Sequence, residues 1–94
     1  MKLTKSQIDN VIYILTKRVK HRATQPFSNE LRSFLRTDEP APRKPYHFLS
    51  EDYYQYNLVE DQGTLELQVD SVKPEVVAAV HEVNRDFAQI FSNS

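Results

Sequence analysis

The chain of 94 residues has no cysteine, no tryptophan and one glycine. Without cysteine there is neither a disulfide framework nor a thiolate metal site. Stability must then come from aliphatic and aromatic packing, at a length near the lower end of what folds without staples. A single glycine rules out Gly-rich phosphate loops and the dinucleotide fingerprint. No HExxH, nucleophile elbow or EF-hand loop occurs. Long apolar runs are also missing. The longest, Val11 to Leu15, is far short of a membrane span, and Met1-Lys2 leads into polar residues rather than a signal core. The expected compartment is the cytoplasm.

Charge of one sign is missing from a defined region. Residues 46–70 carry six acids (Glu51, Asp52, Glu60, Asp61, Glu66, Asp70) and no lysine or arginine. Residues 1–45 carry ten Lys/Arg against four acids, so a net charge of −1 conceals a bipolar chain. Asymmetry of this kind speaks about partners rather than fold.

What is present reads as four blocks of one domain, residues 1–94. The first, 1–36, is basic and helical. Thr4 and Gln7 form a capping box, and Ile8, Val11, Ile12, Leu15 and Val19 make one apolar stripe. That spacing predicts a helix fading near Ala23, with "KRVKHR" (Lys17 to Arg22) as its last turn and a half. Phe27, Leu31, Phe34 and Leu35 predict a second helix, capped by Thr24 or Ser28 and ended by Asp38. Residues 37–45, "TDEPAPRKP", carry three prolines and read as a stiff linker.

Residues 46–70 read as an acidic, aromatic hairpin. Gly63 marks the turn, and two registers compete for it. Pairing Asp61 with Thr64 puts Tyr54, Tyr56, Leu58, Leu65, Leu67 and Val69 on one face. The alternative mixes apolar and polar residues, so the clean face decides. "YHFL", Tyr46 to Leu49, is a candidate third strand. Residues 71–94 form the last helix, with Pro74 in its first turn and Val76, Val80, Val83, Phe87 and Ile90 as its seam. The expected class is α+β: helix, helix, hairpin and helix, with the helices on one sheet face. The seams of the first and last helices would serve the core or a homodimer interface.

Candidate chemistry is sparse, and no catalytic residue, metal site or cofactor is assigned. His21, His47 and His81 lie on three different segments. His47 beside Glu51 and Asp52 is the nearest approach to an acid–base group, but adjacency in sequence fixes no geometry. His21 is expected to favour the dipole at a helix end.

Two binding surfaces are expected instead. Lys17, Arg18, Lys20 and Arg22 would contact phosphates without reading bases. Glu51, Asp52, Tyr53, Glu60, Asp61 and Glu66 would face a protein partner with a basic surface, the tyrosine as anchor and the carboxylates as complement. The leading expectation is a non-enzymatic protein-binding module, a small regulator or inhibitor in the style of phage and mobile-element accessory proteins. A nucleic-acid-binding regulator is the alternative. A structural subunit of a homo-oligomer, its opposite charges meeting head to tail, is a further one.

Overall fold

The structure, a computed structural model, describes residues 3–37, 43–61 and 63–92. Six elements follow one another: α1 (Lys5–Val19), α2 (Gln25–Arg36), β1 (Tyr46–Leu49), β2 (Gln55–Asp61), β3 (Thr64–Val69) and α3 (Pro74–Ser92). The strands form one antiparallel sheet in the order β1-β2-β3. This is the expected α+β class, and "YHFL" is its third strand. Residues 38–42, the centre of the expected proline linker, lie outside the described residues.

The hairpin register pairs Asp61 with Thr64, Leu58 with Leu67 and Tyr56 with Val69, as the apolar pattern predicts. Alternation then sends Phe48, Tyr56, Leu58, Leu65 and Leu67 to the helices. His47, Leu49, Gln55, Asn57, Glu66 and Gln68 stand on the opposite, uncovered face. The helix layer runs in parallel order: α3 lies against β3 and α1, and α1 against α2. Ile8, Val11, Leu15 and Val19 of α1 meet Val76, Val83 and Phe87 of α3 in the core. Much of both seams is thus used inside one chain, with Ile12, Val80 and Ile90 partly buried against the core.

The start of α1 is the expected capping box: the Thr4 side chain accepts from the Gln7 N–H, and Gln7 returns the bond. Its end differs from expectation. The helix stops at Val19, because Lys20 takes the left-handed conformation (φ 56°) and the N–H of His21 bonds back to Leu15. This break turns the His21 ring inward, with its centroid 4.7 Å from that of Phe48 in an edge contact. His21 is therefore a core residue at 1% exposure, not a solvated cation at a helix terminus. Its Nε2 pairs with the Tyr46 hydroxyl at 3.0 Å, and its Nδ1 has no partner among the described residues. Burial holds its pKa below the ordinary value.

The sheet's two margins are finished differently. On β3, the backbone of Leu67 points away from β2, and the side-chain amide of Asn84 on α3 takes both of its groups. The Leu67 N–H donates to Asn84 Oδ1 at 2.7 Å, and Asn84 Nδ2 donates to the Leu67 carbonyl at 3.1 Å. Asn84 so stands in for a residue of a neighbouring strand. Among the described residues the outward backbone groups of His47 and Leu49 on β1 have no such cover, and the Lys20 carbonyl takes the Glu51 N–H just beyond the strand.

Candidate functional site

The connection from β1 to β2 is a tight turn built on Ser50, which is fully buried. The Tyr53 N–H donates to the Ser50 carbonyl (2.9 Å), and the Ser50 N–H donates to Tyr54 (3.0 Å). Ser50 Oγ also accepts from the Tyr54 N–H, and donates to the Asp52 carboxylate. Glu51 and Asp52 are the central turn residues, and Tyr53 follows at φ 68°. A loop of this kind usually places glycine at that position. Here it holds a tyrosine that is 74% exposed. A non-glycine residue in the left-handed region costs about 1–2 kcal/mol.

Tyr53 is not alone. The Glu51 N–H donates to the Lys20 carbonyl (2.9 Å), which ties this turn to the end of α1. The chain leaving α1 then brings Arg22 between two rings, its guanidinium carbon 5.6 Å from the Phe27 centroid and 5.8 Å from that of Tyr53. Phe27 is 40% exposed. The result is an aromatic–arginine patch assembled from three separate segments, flanked by Glu51 and Asp52. Sequence reasoning singled out Tyr53 and Arg22, but for different surfaces, and it placed Phe27 on one face of α2 with Leu31, Phe34 and Leu35. Only the fold joins them.

The five carboxylates expected to face a partner do not form one docking face. Glu60 is buried, with Oε2 3.2 Å from Arg43 Nη1. That corrects its expected role as a partner contact: it points into the protein on the same alternation as Tyr56 and Leu58. Asp52 lies 3.8 Å from Lys20 Nζ. Glu51 sits at the Tyr53 end of β2 and Asp61 at the other, six residues or about 20 Å of strand from Gln55. Glu66 projects from the uncovered sheet face. Some of the segregated charge is thus internal pairing rather than partner complement.

The expected phosphate contacts are dispersed in a similar way. Arg18 is paired with Asp86 of α3 at 2.7 Å. Lys17 lies over the Tyr13 ring, 5.6 Å from its centroid. Arg22 belongs to the patch just described, and Lys20 lies at its edge beside Asp52. The His47–Glu51–Asp52 group is not assembled, since His47 bonds to the Asn57 side chain on the open sheet face. His81 is exposed on α3, so the three histidines stay apart. Among the described residues no cluster of three or more His, Asp or Glu is placed to hold a metal ion. None of their helices is long and apolar enough to cross a membrane.

Between α2 and β1 runs a groove of about 640 Å³ lined by residues including Glu30, Ser33, Phe34, Lys44, Pro45 and Tyr46. Arg43 forms part of its floor, with its guanidinium 4.3 Å from the Phe34 ring centroid and bonded to the Phe34 carbonyl. Burial, with the nearby Glu30 carboxylate adding to it, pushes the Tyr46 hydroxyl up to about 12, so it stays neutral.

Comparison of the chain with protein-family models, curated proteins and solved structures found no match.

Proposed function

We propose that the chain is a non-enzymatic protein-binding module, a small regulator or inhibitor that docks through Tyr53, Arg22 and Phe27. One observation carries this reading: Tyr53 occupies a backbone position suited to glycine, at a cost to stability, and the ring it presents is left in solvent. Strain kept at an exposed aromatic residue is what a binding anchor accounts for and core packing does not. Tyrosine and arginine are also the residue types that dominate protein–protein hot spots. Arg22 stacked on two rings holds the patch in shape before contact, which lowers the ordering cost of association. The partner that fits has an apolar recess for the tyrosine ring and a basic group for Glu51.

The test is affinity purification on the immobilised full chain with mass spectrometry, run in parallel on variants. The expected result is a partner recovered by the natural chain and reduced roughly tenfold or more by Tyr53→Gly and by Arg22→Ala. Asp61→Lys and Glu66→Lys should retain it. Recovery undiminished by the Tyr53 change but lost with the two charge reversals would move the contact to the hairpin end and overturn the reading.

A further inference from the structure

We propose that β1 takes a fourth strand: an extended segment of the partner protein adds antiparallel along His47 to Leu49 and lies in the groove between β1 and α2. The proposal rests on the protein-binding reading above and adds the form in which the partner is held.

The backbone supplies the first argument. Ser50 pairs with Tyr54 across the turn, so counting by twos along β1 gives Phe48 and Tyr46 the hydrogen bonds to β2. The N–H and C=O groups of His47 and Leu49 therefore point outward. Among the described residues none of these four groups has a partner. Proteins usually blunt such an edge with lysine, proline, a bulge or a cover. On β3 the cover is Asn84; the strand "YHFL" carries none of the other devices.

Dimensions supply the second. Three strands about 4.8 Å apart span roughly 10 Å, whereas three helices 8–10 Å apart span roughly 20 Å. The helix layer is wider than the sheet it covers. On the α2 side the excess is the groove, a ledge beside a strand position that no described residue fills. A second copy pairing through its own β1 would bring its α2 to the same ledge. An isolated extended segment has no such helix, so it is the occupant that fits.

Side chains define the segment. In an antiparallel strand the residues opposite Phe48 and Tyr46 sit at positions i and i+2 and share their face, toward Phe34 and Pro45. Both should be apolar. Lys44 precedes β1 and Glu51 follows it; both are exposed and neither has an ion pair among the described residues. The complementary segment carries a basic residue N-terminal to the apolar pair and an acidic one C-terminal to it. Strand addition of this type draws affinity from main-chain bonds and selectivity from alternate side chains.

The probe is a random-peptide display library selected on the full chain. An enriched peptide is then synthesised and titrated into isotope-labelled chain. The expected motif is basic, apolar-x-apolar, acidic. Binding should slow amide exchange of His47 and Leu49 roughly tenfold or more and leave Leu67 unchanged. Lys44→Glu should weaken the acid-ended peptide and favour its lysine-ended counterpart, a swap that a folding defect would not produce. Three results would each overturn the proposal: no peptide enriched; bound peptides that leave His47 and Leu49 unprotected; or self-association of the chain protecting both amides without peptide. Failure here with Tyr53-dependent partner recovery intact would leave the protein-binding reading standing. Protection of the two amides with recovery indifferent to Tyr53 would instead remove the Tyr53 patch as the anchor.

Discussion

Arg43 and Glu60 meet 3.2 Å apart with both side chains 3% exposed, one entering from the segment before β1 and the other from the end of β2. Their attraction is offset by the cost of stripping water from both ions, so the net gain is modest. Losing Arg43 is not modest, because a buried charge is taken from beside Glu60 and the bond to the Phe34 carbonyl goes with it. Arg43→Met is expected to lower unfolding free energy by about 3 kcal/mol. The double change Arg43→Met with Glu60→Met should recover the electrostatic part of that, while the bond to the Phe34 carbonyl stays lost. Urea denaturation of the three proteins checks it, and equal loss in the single and double variants would contradict the pairing.

Tyr53 yields a prediction of opposite sign. Tyr53→Gly relieves a left-handed tyrosine and, despite the extra freedom glycine has when unfolded, should raise stability by about 1 kcal/mol. Tyr53→Ala, which keeps a Cβ at the same φ, should not gain. A thermal melt of both variants beside the natural chain distinguishes backbone strain from loss of the ring.

His21 sets a pH dependence. Its folded pKa lies below the ordinary 6.5, mainly through burial, so the unfolded chain binds the proton more readily. Stability is full above about pH 6.5 and declines as pH falls below it. The limiting slope is about 1.4 kcal/mol per pH unit for one proton. Tyr46, its partner, is neutral throughout this range. His21→Phe should flatten that stretch of the curve when unfolding is followed in urea between pH 7.5 and 5.

Asn84→Ala removes both bonds to the Leu67 backbone. A loss of about 1–2 kcal/mol is expected, since two hydrogen bonds go and the half-buried edge gains only water. Amide exchange at Leu67 should accelerate while that at Leu58 follows global stability alone. An unchanged Leu67 rate would assign the edge's protection to packing against α3.

The elements were legible where a local rule and the apolar pattern agreed. Thr4 and Gln7 gave the start of α1, and the clean alternation of Tyr56, Leu58, Leu65 and Leu67 chose the hairpin register over the turn chemistry. The same alternation, carried one step further, reaches Glu60 and shows it turned inward; its acidity made it look like surface. The early end of α1 was not legible, because it depends on His21 finding Phe48 and Tyr46 some 25 residues later in the chain. Nor was the patch, whose members come from the α1–α2 connection, the first turn of α2 and the β1–β2 turn. Charge sorted along the sequence says little about charge sorted in space: Lys20 and Asp52 stand on opposite sides of the chain's sign reversal and end as neighbours.

Asn84 has a consequence for valency. A sheet with two open margins invites runaway polymerisation, since each unit added offers a fresh template to the next. With Leu67 stoppered by an amide from its own chain, the strand addition proposed above is directed to the β1 margin. On that proposal the domain would couple once and stop, which suits a one-to-one connector and disfavours fibre growth.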